Sequence, residues 1–88
     1  MAETTVEIIN KAGLHARAAA KLAELSASFS CDIQVGHEKM VDGKSILSLM
    51  MLAAVKGTTL KIVTSGPEEN RALKAIVELI NNRFDEAE

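Results

Sequence analysis

Apolar and polar residues alternate along four short stretches of the chain, the pattern of a strand with one buried face. The clearest stretch is Thr58–Thr64, in which Leu60 and Ile62 fall on the same side. β-Branched residues, which favour extended backbone, are frequent in these stretches. The pattern predicts strands over Thr4–Ile9, Asp32–Val35, Lys39–Val41 and Thr58–Thr64, with a hairpin turn at 36–38.

Two further segments repeat apolar residues every three or four positions, which predicts amphipathic helices. The first spans Ala16–Ser28. Its apolar face comprises Ala18, Leu22, Leu25 and Phe29. The second runs from Ile46 to about Val55, and Gly57 follows it as glycine often follows a helix.

A third helix is expected near the end of the chain, with Pro67 in its first position and acidic residues in its first turn. Its apolar face comprises Leu73, Ile76, Val77, Ile80 and Phe84. The charged tail over 85–88 is expected to fray. The order β-α-β-β-α-β-α over a single domain, residues 1–88, favours an α+β fold in which helices pack on one face of a small sheet.

Composition narrows the possible functions. Hydrophobic residues make up 48% of the chain but aromatic residues only 2%, so the core must be aliphatic. The net charge of −2 provides no basic field for a nucleic-acid backbone, and we expect no nucleic-acid partner. The polar N-terminus lacks the pattern of a signal peptide, and the apolar stretch 46–55 is too short to span a bilayer. These features predict a soluble, cytoplasmic protein without membrane insertion.

The chain has one cysteine, Cys31, which excludes an internal disulfide and suits a reducing cytosol. We expect it to be a small buried hydrophobe. Together with His15 and His37 it shows no zinc-ligand spacing, so neither a metal nor a cofactor is expected. His37 is expected to decorate the hairpin, while Lys44 and Lys56 either meet acidic partners or are solvated.

His15 stands at the predicted start of the first helix, two residues after Gly13. The backbone N–H groups of a helix N-terminus lack intrahelical partners and, with the helix dipole, favour an anion such as phosphate. A neutral imidazole is a good nucleophile near pH 7, and Arg17 adds a fixed positive charge. These features indicate a phosphohistidine site. A histidine at a helix start is also often a plain surface cap, and the residues alone leave both interpretations open.

Two motifs of the chain are informative: Gly13-Leu14-His15-Ala16-Arg17, and Lys44-Ser45-Ile46 continuing through Leu49, Leu52, Ala53 and Gly57. Both resemble the HPr family, the histidine-containing phosphocarrier proteins of the bacterial phosphotransferase system. The similarity runs from about Val6 to Phe84. It implies an open-faced β-sandwich, with a four-stranded antiparallel sheet of order 1-4-2-3 and three helices on one face.

The resemblance also implies a role as carrier, not enzyme. His15 would accept a phosphoryl group from phospho-enzyme I, itself charged by phosphoenolpyruvate, and pass it to a histidine of an enzyme IIA protein. In the family the modified nitrogen is Nδ1, which faces the amides of Ala16 and Arg17, and the arginine helps to hold the phosphate. An alternative of another class is a regulatory module that acts by contact with a kinase or transcription factor. The presence of His15 favours the carrier.

Some positions depart from the common family pattern or indicate a branch of it. The family usually has proline after the motif arginine, whereas this chain has Ala18, from which we expect slightly looser geometry but intact phosphate chemistry. The segments Asn82–Glu86 and Met50–Ala53 resemble proteobacterial members, including the nitrogen-related branch.

Ser45 precedes the second helix, and serine is a preferred N-cap residue. Through the resemblance it also matches the family's seryl phosphorylation site, which is used by HPr kinase/phosphorylase. We therefore expect Ser45 to be a regulatory site as well as a cap.

The second helix is apolar nearly all round, yet a short helix on one face of a sheet buries only one side. Leu49, Leu52 and Ala53 share a side and are expected in the core. The opposite side is expected to form an exposed patch that contacts enzyme I and enzyme IIA proteins, made of Ile46, Leu47, Met50 and Met51. The alternative is burial of these residues under a neighbouring loop. The protein is expected to be a monomer.

Overall fold

The computed structural model describes residues 1–85, which fold into one small sheet with helices packed against it. The strands are β1 (Ala2–Glu7), β2 (Asp32–Gly36), β3 (Met40–Asp42) and β4 (Thr59–Ser65). The helices are α1 (Ala16–Ala27), α2 (Ile46–Met51) and α3 (Glu69–Asn81), and a 3₁₀ turn over Arg83–Asp85 follows them. The element order is the predicted β-α-β-β-α-β-α.

The sheet has the strand order β1-β4-β2-β3, and each neighbouring pair is antiparallel. In the central strand β4, Ile62 lies opposite Thr4 of β1 and Val35 of β2. Leu60 and Ile62 are buried whereas Lys61 between them is exposed, so the helices cover one face and solvent meets the other. The predicted α+β fold with an open-faced sheet is confirmed.

The core between sheet and helices is almost wholly aliphatic, as the composition requires. Each helix contributes fully buried side chains: Ala18 and Leu22 from α1, Leu49 from α2, and Ile76 and Ile80 from α3. Cys31 is buried in the same core, as expected of a small hydrophobe. Phe84 is fully buried, but it lies in the turn after α3 and not on the helix.

Helix α2 is shorter than predicted. It ends at Met51 instead of near Val55, because Ala53 takes a left-handed backbone conformation with φ of +52°. The expected core face is therefore only partly correct: Leu49 is fully buried, Leu52 is half-buried and Ala53 is exposed. After this reversal Ala54, which was not predicted to be buried, enters the core.

The start of α3 also differs from the prediction. The helix begins at Glu69, and Glu68 precedes it in a left-handed conformation with φ of +63°, so Pro67 lies in the turn before the helix. The other boundaries shift by one or two residues: β1 starts earlier, while β3 and β4 start one residue later. Of the tail that was expected to fray, Asp85 ends the 3₁₀ turn, and residues 86–88 lie outside the described part of the chain. Across residues 1–85, no helix is both long and apolar enough to cross a lipid bilayer.

Candidate functional site

His15 is the N-cap of α1. Its backbone is extended (φ −79°, ψ −177°), its carbonyl accepts the N–H of Ala19 at 2.8 Å, and its Nδ1 accepts the N–H of Arg17 at 3.3 Å. His15 is therefore a typical helix cap: its own backbone is not helical, and its side chain accepts the N–H of the second helical residue. The imidazole is half-buried at this helix end.

The hydrogen bond from Arg17 decides which imidazole nitrogen has a lone pair. Because Nδ1 accepts this hydrogen bond, the proton of a neutral His15 ring is assigned to Nε2. In this tautomer the lone pair is on Nδ1, which faces the amide end of α1. The two sequence interpretations, cap and nucleophile, are compatible in this geometry.

Arg17 is exposed, and its guanidinium makes no ion pair with any residue in the range 1–85. It lies in the first turn of α1, beside Ala16, which is also exposed. The N-terminal end of this helix therefore presents backbone N–H groups and a fixed positive charge together. An oxyanion would be stabilised there by both.

The segment before His15 is held from two sides. The side-chain Nδ2 of Asn10, which is fully buried, donates to the carbonyl of Gly13 at 2.8 Å. The N–H of Leu14 donates to the carbonyl of Ala54, also at 2.8 Å. Neither Asn10 nor Ala54 was among the site residues that the sequence pattern indicated. The asparagine three residues before a glycine was an available signal for a turn, although not for burial.

Gly13 has a structural requirement of its own. Its φ of +68° is in the left-handed region, and a Cβ at this position would lie 2.5 Å from the carbonyl oxygen of Ala54. The chain before α1 therefore approaches the chain after α2 more closely than any side chain would allow.

Ser45 caps α2 as expected. Its Oγ accepts the N–H of Ser48 at 3.2 Å, and its own N–H donates to the carbonyl of Asp42 at 3.2 Å. Neighbouring Lys44 is not simply solvated, because its Nζ donates to the carbonyl of Phe29 at 2.9 Å. Lys56 is exposed.

The side of α2 that faces away from the core is open to solvent. Leu47 is 68% exposed and Met51 75%, and Ile46 and Met50 are exposed by 46% and 41%. We refer to Ile46, Leu47, Met50 and Met51 as the α2 patch. Burial under a neighbouring loop is thereby excluded, while the binding role of the patch stays a prediction.

His37 does more than decorate the hairpin. Its Nε2 lies 3.2 Å from the carbonyl oxygen of Leu52, the residue that caps the C-terminal end of α2. As for metals, residues 1–85 contain no cluster of three or more His, Cys, Asp or Glu side chains that could hold an ion.

Comparison with known proteins identifies relatives of the whole chain. The family model described as the PTS HPr component phosphorylation site matches residues 2–82. The phosphocarrier protein HPr of Pseudomonas aeruginosa is 58% identical over 85 residues, with 94% of each chain covered, and the phosphocarrier protein NPr of Escherichia coli K12 is 39% identical over 84 residues, with 93% of each covered. A crystal structure of HPr from Thermoanaerobacter tengcongensis superimposes with a TM-score of 0.95 at 42% identity, over the whole of both chains.

These similarities extend over nearly the entire chain and include proteobacterial relatives, as the sequence motifs indicated. The relatives carry the name phosphocarrier, which describes a protein that conveys a phosphoryl group and is not itself a catalyst. The match spans the fold, the motif around His15 and the motif around Ser45. The chain therefore belongs to the HPr family, the phosphocarrier proteins of the phosphotransferase system.

Proposed function

We propose that His15 is the residue that carries the phosphoryl group: its Nδ1 accepts the group from phospho-enzyme I and passes it to a histidine of an enzyme IIA protein. The observation that carries this proposal is the hydrogen bond from the Arg17 N–H to Nδ1 of His15. It places an unprotonated imidazole nitrogen against the amide end of α1.

The local geometry suits both halves of such a transfer. When the N–P bond on enzyme I breaks and a bond to Nδ1 forms, the Arg17 N–H gives up its hydrogen bond to Nδ1. The phosphoryl oxygens then come to lie beside the N–H groups of Ala16 and Arg17, which have no acceptor within α1. The Arg17 guanidinium adds a charge-assisted contact. Phosphoryl transfer depends mainly on positioning and on charge stabilisation, and both partners share these tasks.

The α2 patch is the docking surface in this proposal. Its four exposed apolar side chains include two methionines, whose flexible thioethers adapt to differently shaped partners. A carrier must bind a donor and an acceptor in turn, so an adaptable surface beside the acceptor histidine suits the task. Leu14, next to His15, is bonded to the segment that leaves α2, which keeps the two parts of the site together.

Ser45 is the regulatory site in this proposal, and the modifying enzyme is HPr kinase/phosphorylase. A phosphate there adds a charge of about −1.5 to −2 at the start of α2, a position that tolerates negative charge. The fold therefore survives, while the added charge next to Leu47 disfavours burial of the α2 patch against a partner.

The carrier acts in the cytoplasm and as a monomer in this proposal, although one similar structure, of HPr from Thermoanaerobacter tengcongensis, is described as a dimer. The second candidate is a regulatory module that works by contact with a kinase or transcription factor, for which the α2 patch would also serve. The histidine at the N-cap of α1 favours the phosphocarrier function, because a module that acts only by contact does not require an oriented nucleophile.

The decisive experiment is incubation with phosphoenolpyruvate and enzyme I. We expect an acid-labile, alkali-stable phosphoryl adduct in the wild type that passes on to an added enzyme IIA protein. His15→Ala should abolish labelling, and His37→Ala, which removes the other histidine of the chain, should retain it. Labelling of His15→Ala to the wild-type extent would refute the carrier role of His15, and an unlabelled wild type would favour the contact module.

A further inference from the structure

Both polar groups of the peptide unit that joins Gly13 to Leu14 are bonded to distant parts of the chain. Its carbonyl accepts from Nδ2 of Asn10 at 2.8 Å, and its N–H donates to the carbonyl of Ala54 at 2.8 Å. A peptide unit is planar, so two bonds on opposite edges fix its orientation. His15 is the residue attached directly after Leu14.

Asn10 makes its bond from inside the protein. Its side chain is fully buried, and the same residue accepts the N–H of Gly13 at its backbone carbonyl, at 3.2 Å. Two hydrogen bonds thus close the turn between residues 10 and 13, one to the backbone carbonyl of Asn10 and one from its side chain. Burial of an amide group costs free energy that only its hydrogen bonds offset, so an apolar residue would fill the space at lower cost if packing were the only need.

We propose that Asn10 is a positioning residue for phosphoryl transfer: it holds the Gly13–Leu14 peptide unit so that Nδ1 of His15 points at the amide end of α1. The proposal rests on the proposed function of His15. Asn10 itself contacts neither the phosphoryl group nor a partner, because it is buried. Its effect reaches the reacting nitrogen through two residues of backbone.

The expected consequence is a change in rate and not in partner affinity. Without the hydrogen bond from Asn10, the Gly13–Leu14 peptide unit keeps only its hydrogen bond to Ala54 and can rotate about it. The imidazole of His15 then samples a wider range of orientations. Misplacement of a reacting atom by about 1 Å costs on the order of a hundredfold in rate. The α2 patch, in contrast, is unchanged, so the KM of the protein as phosphoryl acceptor of enzyme I should stay the same.

The test compares Asn10→Ala, Asn10→Asp and Asn10→Ser with a matched control. Asn10→Asp keeps the shape but lacks the N–H donor, and Asn10→Ser offers a smaller donor as a conservative rescue. The control is Thr64→Val, because the Thr64 Oγ donates to the carbonyl of Glu69 at 2.8 Å and Thr64 is also fully buried. Thr64 is also far from Asn10. The Thr58 carbonyl accepts the N–H of Ile8, close to the Asn10 turn, and Thr64 lies six residues further along the chain, about 20 Å at the rise of a strand.

Each variant is measured as phosphoryl acceptor of enzyme I, at a temperature at which circular dichroism shows it folded. We expect kcat to fall at least about tenfold for Asn10→Ala and Asn10→Asp with KM unchanged, and to recover in part for Asn10→Ser. Thr64→Val should keep both constants. The ¹⁵N resonances of His15 Nδ1 and the Arg17 amide should shift in the Asn10 variants and stay in place in the control.

Wild-type kcat in Asn10→Asp, or an equal loss in Thr64→Val, would overturn the positioning role. If Asn10→Asp does not fold, wild-type kcat in Asn10→Ala, or an Asn10→Ser variant no faster than Asn10→Ala, has the same meaning. The function of His15 is tested separately: labelling of His15→Ala refutes that function, whereas a labelled wild type with unaffected Asn10 variants refutes only the role of Asn10.

Discussion

The backbone N–H of Leu14 donates to the carbonyl of Ala54, so the segment that leads into α1 is seated on the segment that leaves α2. The first segment carries His15, and the second ends the helix that begins at Ser45 and bears the α2 patch. Any change that separates Leu14 from Ala54 is therefore expected to affect both His15 and the α2 patch.

Gly13→Ala should weaken this junction. An alanine at a left-handed position costs about 1–2 kcal/mol, and its Cβ would lie 2.5 Å from the Ala54 oxygen, so the two segments must also move apart. We expect the free energy of unfolding in urea to fall by at least about 2 kcal/mol and hydrogen exchange of the Leu14 amide to accelerate.

The control for this variant is Gly57→Ala. Gly57 also has a positive φ, of +94°, but a Cβ there would meet no atom within 4 Å. This variant carries backbone strain without the contact. Unchanged exchange at Leu14 in Gly13→Ala, or equal acceleration in both variants, would argue against the close approach as the cause.

Leu47→Glu should weaken binding to enzyme I without destabilising the fold. Leu47 is 68% exposed, so the free energy of unfolding should change by no more than about 0.5 kcal/mol. Binding to enzyme I, measured by calorimetry, should weaken because a carboxylate must be desolvated in an apolar contact. Gln34→Glu adds the same charge on the open face of the sheet, where Gln34 is exposed, and should bind normally. Unfolding of Leu47→Glu would place Leu47 in the core, and normal binding would remove it from the docking surface.

Two substitutions of Ser45 distinguish the cap from the regulatory site. Ser45→Ala removes the acceptor for the Ser48 N–H and should cost about 0.5–2 kcal/mol of stability, without slowing phosphorylation of His15. Ser45→Asp retains a capping oxygen and adds a negative charge, so the domain should stay folded while phosphorylation by enzyme I slows. A Ser45→Asp variant that is phosphorylated as fast as the wild type would leave Ser45 with the capping role alone.

Stability in acid should depend on Glu69. A hydrogen bond from the α-amino group of Met1, at 2.8 Å, lowers the pKa of this carboxyl below its ordinary value of 4.5, and the Gly66 N–H at 3.1 Å lowers it further. The folded pKa is thus below the unfolded one, so the contribution of Glu69 is fully present above the unfolded pKa and is lost as pH falls through the folded pKa.

The measurement is the free energy of unfolding at several pH values from neutral to acid. Glu69→Gln should lower stability near pH 7 and reduce its dependence on pH below about 4.5. Glu24→Gln, at an exposed position of α1, is the control and should follow the wild-type curve. Parallel curves for the wild type and Glu69→Gln would contradict the role of the Met1 contact.

Local chemistry accounts for much of what the sequence predicted correctly. The start of α1 at His15 and of α2 at Ser45 depends on an acceptor side chain before a helix-forming run, and both residues act as caps. The strands follow from alternation, since one face of each is covered. The motif around His15 indicated a candidate phosphohistidine site because the imidazole, the helix end and Arg17 are adjacent along the chain.

Only the tertiary structure decided where α2 ends and how His15 is held. From Leu49 the apolar run continues through Val55 without a break. The pattern therefore could not show that Ala53 reverses the chain and that the Ala54 carbonyl accepts the Leu14 N–H. Asn10 looks like a solvated loop residue in the sequence, because its burial depends on segments that are far away along the chain. Local pattern thus indicated the candidate residue, His15, whereas contacts between distant segments determined its orientation, since hydrogen bonds between such segments form only once the core has brought them together.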